Sequence, residues 1–166
     1  KRLGLQVSLD LNYRKNLWKY GKKASEVMSS LMPFVDCAIA NEEDFEMSLG
    51  IKPEKGSAEH GDIDPELYRE VAGEAMRRYP NLKHVAITLR QSISADRNIW
   101  QASCYDGKEF LLSRRYDLTD IVDRVGGGDS FCGGLIYGLN ACDNARDALE
   151  FATAASCLKH TVNGDY

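Results

Sequence analysis

The chain has 166 residues, 43% of them hydrophobic and 28% charged, which suits one soluble globular domain with a buried core. A formal net charge of −4 argues against a nucleic-acid partner, which would need a basic face. It leaves phosphate ligands open, because backbone amides hold anions without Lys or Arg.

Leu3, Leu5, Val7 and Leu9 alternate with smaller or polar residues, which predicts a strand running into Asp10-Leu11-Asn12-Tyr13-Arg14. A strand that begins almost at residue 1 reads as a domain cut from something larger. Residues 22–32 read as a helix stopping before Pro33. Cys37-Ala38-Ile39-Ala40 is a short apolar run suited to a buried strand, and Asn41-Glu42-Glu43-Asp44 favours a helix start. Residues 52–64 read as a surface loop, and Pro65 opens a helix over 66–79 with Leu67, Val71 and Ala75 on one face.

His84–Leu89 is the most strand-like run. Two weaker strands, about 98–105 and 108–114, flank the hairpin signal Asp106-Gly107. A helix from about 129 to 139 follows the glycine run, and a last helix covers 145–159. This alternation predicts an α/β fold, a three-layer α/β/α Rossmann-like arrangement on a mostly parallel sheet.

Five widely spaced cysteines lack a C-x-x-C pair, and three histidines share no ligand spacing with them. Small buried thiols in a reducing cytoplasm are expected, not a disulfide framework or a zinc site. No apolar run approaches the roughly 20 residues of a bilayer span, so no membrane contact is expected.

Val125-Gly126-Gly127-Gly128-Asp129 is the most informative segment. Three glycines before a helix cost backbone entropy, and what they gain is positive φ and bare N–H groups near a ligand. At a helix N-terminus those amides form an anion hole with the dipole behind it. Gly133, Gly134 and Gly138 would let the helix lie close against the sheet. Asp129 falls at the helix start, where a cap alone would explain an acid. Beside an anion hole it can also accept the proton of a hydroxyl attacking a phosphoryl group. There is no G-x-x-x-x-G-K-[ST], and Phe131 stands where a dinucleotide fold wants its third glycine.

Asp123-Arg124-Val125-Gly126-Gly127-Gly128-Asp129-Ser130-Phe131 resembles the D-T-x-G-A-G-D-x-F signature of ribokinase-like (PfkB) carbohydrate kinases. Asn41-Glu42-Glu43-Asp44 resembles their N-x-x-E motif, and Ile87-Thr88-Leu89 the strand end that meets the nucleotide. Residues 10–18, the Asp-Arg-Val-Gly-Gly-Gly-Asp form of the signature and residues 158–165 are most similar to 2-keto-3-deoxygluconate kinases.

The resemblance implies a ribokinase-like core that transfers phosphate from ATP, with Mg2+, to a sugar-acid hydroxyl. Asp129 would be the catalytic base, and Gly126, Gly127 and Gly128 the anion hole. Asn12, Asn41, Thr88, Gly126 and Gly128 would bind the nucleotide, and Arg14, with Asp129, the substrate. Asn41 and Asp44 would organise magnesium indirectly. An arginine suits a carboxylate because it binds it as a fork, although without the resemblance a surface ion pair is the better explanation of Arg14.

Three departures stand out. Asp44 replaces glutamate, Arg124 and Val125 replace hydroxyl residues near a monovalent-cation site, and Arg90-Gln91 replaces a common glycine. Family members carry about another half-chain before Leu3, with the lid and most sugar contacts. Residues 1–166 are therefore expected to be the nucleotide-binding part, inactive alone, with an exposed sheet edge that favours homo-oligomers. A fructokinase-like enzyme and a nucleotide-binding module without chemistry are the competing readings; a Rossmann dehydrogenase fails on the missing glycine.

Overall fold

The computed structural model describes residues 3–53, 64–94 and 96–164. They cluster into two compact units, residues 3–53, 64–87 and 105–110, and residues 88–94, 96–104 and 111–164.

The first unit holds β1 (Ser8–Asp10), α1 (Ala24–Leu31), β2 (Cys37–Ala40), α2 (Glu42–Leu49), α3 (Pro65–Arg78) and the start of β3 (His84–Ser92). β2 is buried at every residue, as expected of a strand flanked on both sides in a parallel sheet. β1 pairs with β2 in parallel with Leu9 opposite Ala38, and β2 with β3 with Ala38 opposite Val85. The strand expected from Leu3 is only three residues long, since Leu3 and Leu5 are 75% and 64% exposed. Alternation there has no ladder to join until Val7 accepts from Cys37.

α1 starts at Ala24, and the chain does not stop before Pro33. It tightens into a 3-10 turn, Met32–Phe34, where proline near the first position costs nothing because its missing N–H would be unpaired anyway. α3 begins as its sequence requires. Asp64 accepts from Glu66 N–H at 3.0 Å, Pro65 follows, and Tyr68, Val71, Ala72 and Ala75 are buried. Most of the expected loop 52–64 lies outside the described residues. At the hairpin Asp106 Oδ1 accepts from Lys108 N–H (2.8 Å) and Glu109 N–H (2.7 Å), while Gly107 supplies φ +87°.

The second unit holds the rest of β3, most of β4 (Asn98–Tyr105), β5 (Phe110–Leu112), β6 (Tyr116–Leu118), α4 (Gly127–Ala141) and α5 (Ala145–Lys159). β6 pairs antiparallel with β4, Trp100 opposite Tyr116, so the pairing is mixed. Tyr116-Asp117-Leu118 is too short for a period. Pairing with β4 and the Arg97–Asp117 ion pair (2.6 Å) hold it. β3 runs on to Ser92, past the expected end at Leu89.

The α4 glycines do not do what their spacing suggested. A Cβ on Gly134 would lie 2.9 Å from Ala152 Cα, and one on Gly138 2.7 Å from Ala148 Cα. These two are spent on close approach to α5, and Gly133 meets nothing within 4 Å. No helix among the described residues is long and apolar enough to cross a membrane.

Candidate active site

Each unit carries one set of the expected residues. In the second unit the chain enters α4 through Gly126, which caps the helix at φ +78°, a backbone that strongly favours glycine. Ser130 N–H reaches back to the Gly126 carbonyl at 2.8 Å and starts the helical ladder. Gly127 N–H makes a long turn bond of 3.4 Å to the Arg124 carbonyl. The N–H groups of Gly126, Gly128 and Asp129 have no partner among the described residues. Open amides at a helix mouth, with the dipole behind them, are what an anion needs. Asp129 is exposed in the first turn, and its carboxylate caps no amide among the described residues.

The loop is tied down at both ends. Asp123 Oδ1 accepts from Val125 N–H and Oδ2 from Gly164 N–H, each at 3.0 Å. These backbone donors hold its carboxyl below the usual carboxylate range. The His160 carbonyl accepts from Val122 N–H at 2.9 Å, and Ser156 Oγ donates to the Gly127 carbonyl at 2.7 Å. Arg124 Nη2 donates to the Ser94 carbonyl (3.1 Å) and lies 3.4 Å from Asn98 Oδ1. Arg124 thus anchors the loop to the β3–β4 connection and offers no hydroxyl to a monovalent cation. Thr88 is half-buried inside β3 and not at its end, because the strand continues.

In the first unit the other set gathers at the carboxyl ends of β1 and β2, where parallel α/β sheets place their ligands. Asn12 takes φ +34° just past β1, and its N–H donates to Asp10 Oδ1 at 3.1 Å. Asn41 caps α2, its Oδ1 accepting from Asp44 N–H at 2.7 Å. Asp44 is buried, and its Oδ1 accepts from Tyr13 N–H at 3.0 Å. Its pKa is raised, chiefly by burial and further by Asp10, against the pull of its backbone donors and Arg14. Arg14 is exposed; its Nη1 donates to the Tyr13 carbonyl at 2.9 Å, and among the described residues it forms no ion pair.

The structure therefore brings Asn12, Arg14, Asn41 and Asp44 together within one unit, while Thr88 and the glycine loop with Asp129 both belong to the other. No group of three or more His, Cys, Asp or Glu that could hold a metal occurs among the described residues. Asn41 and Asp44 supply oxygen donors alone, which suits a hard cation held through its waters. Sequence reasoning missed Asp123, Ser156 and His160 as supports. They lie in or near segments that carried the resemblance, but their contacts leave no periodic signal.

Comparison with known proteins follows the same lines. The pfkB family carbohydrate kinase profile matches residues 4–166. A 2-dehydro-3-deoxygalactonokinase of Haloferax volcanii is 31% identical over 162 residues, 98% of this chain and 43% of that protein. The crystal structure of a 2-dehydro-3-deoxygluconokinase from Thermotoga maritima superposes with a TM-score of 0.87 at 46% identity, covering 99% of this chain and 47% of that one. The Arabidopsis thaliana protein "Probable fructokinase-2" is 27% identical over 172 residues, 99% of this chain and 45% of that protein. The chain thus spans a little under half the length of these relatives. Because the profile match takes in both the α4 loop and the strand ends of the first unit, the chain belongs to the pfkB family of carbohydrate kinases.

Proposed function

We propose that this chain is the nucleotide-handling part of an ATP-dependent sugar-acid kinase, which phosphorylates 2-keto-3-deoxygluconate to its 6-phosphate. The observation that carries this reading is the set of unpartnered amides of Gly126, Gly128 and Asp129 at the mouth of α4, with the Asp129 carboxylate exposed in the same turn. The sugar acid is supported by two relatives, one a 2-dehydro-3-deoxygluconokinase and one a 2-dehydro-3-deoxygalactonokinase.

In this reading the amides hold the transferring phosphoryl group, and Asp129 accepts the proton of the sugar hydroxyl as the O–P bond forms. Such a transition state spreads charge over the phosphoryl oxygens, so placed N–H donors supply most of the stabilisation. Arg14 has donors left for a carboxylate, which a neutral sugar would not use. Asn12 and Thr88 would contact the nucleotide, and Asn41 and Asp44 would hold magnesium indirectly. Magnesium, when bound, would offset phosphate charge. Five free cysteines, three of them buried, fit a reducing, cytoplasmic setting. Copies of the chain associate through the outer edge of β1.

Asp129→Asn keeps the size of the side chain and removes the base. In the full-length enzyme phosphate transfer should fall by about 10²–10⁴-fold in an ADP-release assay, with nucleotide binding by calorimetry nearly unchanged. Equal loss of both would make Asp129 a structural residue. A panel of sugars on the full-length enzyme separates the sugar acid from fructose, and a full-length protein that binds nucleotide with no sugar-dependent ADP release would be a module without chemistry.

A further inference from the structure

We infer that His160 is a positioning residue of the glycine cradle, matched to Gly127 so that its ring occupies the space a side chain at residue 127 would need. This rests on the kinase reading above. The signature that the loop resembles, D-T-x-G-A-G-D, carries alanine where Gly127 stands. A Cβ built on Gly127 would lie 2.8 Å from His160 Cε1 and 3.2 Å from Nε2, closer than side chains approach without one of them moving.

The ring is not free to give way. His160 is 4% exposed, its Nδ1 lies 2.7 Å from the Ser156 carbonyl, and its ring centroid is 5.2 Å from that of Trp100. A carbonyl accepts only, so Nδ1 carries the proton there and the ring orientation is fixed.

The consequence falls on one peptide. The bond between Gly127 and Gly128 is planar and trans, so its C=O and N–H point in opposite directions. Ser156 Oγ holds the C=O end at 2.7 Å, which aims the Gly128 N–H the other way. The ring of His160 fills the space beside Gly127, in that same peptide, where a Cβ would stand. One turn of α5 thus sets the aim of an amide that has no partner of its own among the described residues. A glycine in place of the signature's alanine and this buried ring are two halves of one arrangement.

The test is a double-mutant cycle in the active kinase, with Gly127→Ala, His160→Ala and the double variant compared by kcat, KM and Tm. Gly127→Ala should lower kcat by about tenfold or more with KM for the sugar nearly unchanged, since a misaimed donor acts on the transition state. The double variant should recover to within about threefold of His160→Ala, because the ring that met the new methyl is gone. Losses that multiply would overturn the pairing. Recovery of Tm without recovery of kcat would reduce it to packing and overturn the positioning role. Should the wild type phosphorylate no sugar acid, the kinase reading fails separately. The Tm cycle then decides the pair, with recovery in the double variant supporting it and additive loss sinking it.

Discussion

Asp123 shows how one carboxylate can shape a loop through two backbone hydrogen bonds. Its two oxygens take the N–H groups of Val125 and Gly164, one at the start of the glycine run and one beyond α5. Those donors lower its pKa, and the sign of the linkage follows. A depressed folded pKa gives stability that is present above the ordinary carboxylate value and lost as pH falls through the folded one. Asp123→Asn should therefore lower Tm at neutral pH, and the gap to the wild type should close as the pH is taken down through the carboxylate range. A gap of constant size across that range would mean the charge is irrelevant. Cys37 is a contrasting case: burial, then Asp36, pushes its thiol up to about 12, so it is inert at neutral pH.

The helix pair α4–α5 turns on small residues at matched positions. Gly134 and Gly138 face Ala152 and Ala148 at distances that leave no room for a methyl, whereas Gly133 faces open space on the same helix. The two kinds of glycine predict opposite effects of one substitution. Gly138→Ala should destabilise by about 1–3 kcal/mol through overpacking. Gly133→Ala should stabilise by roughly 0.5–1 kcal/mol through helix propensity and reduced unfolded-state entropy. Urea melts of the two variants check this, and a shared sign would show that the helices adjust freely. The cap of α2 was legible in Asn41 itself, since an asparagine followed by a run of acids marks a helix start. The partner of Asp44 was not legible, because a bond between residues 13 and 44 depends on how β1 and α2 meet.

At the scale of the molecule, β1 is the outermost strand of the first unit's sheet. Val7 and Leu11 spend their backbone groups on β2, so by alternation the N–H of Ser8 points away from it. An outward row of this kind is a template for another strand. Light scattering of the chain should report a dimer or larger. Ser8→Pro, which removes an outward donor and leaves the β2 ladder intact, should shift the mass toward one copy. A monomeric wild-type chain would remove the association proposal.

The amino-acid sequence by itself determined the order of most elements and the glycine run at the mouth of α4, because both rest on local physics. An apolar run makes Cys37–Ala40 a buried strand, Asn41 starts a helix, and consecutive glycines open amides at a helix mouth. Only the tertiary structure decided how far β1 extends and that Tyr116–Leu118 is a strand, since each needs a neighbour to accept its hydrogen bonds. The same holds for the loop's supports. Ser156 and His160 meet Gly127 across about thirty positions of sequence, and no periodicity records a contact that exists only once α5 has packed against α4.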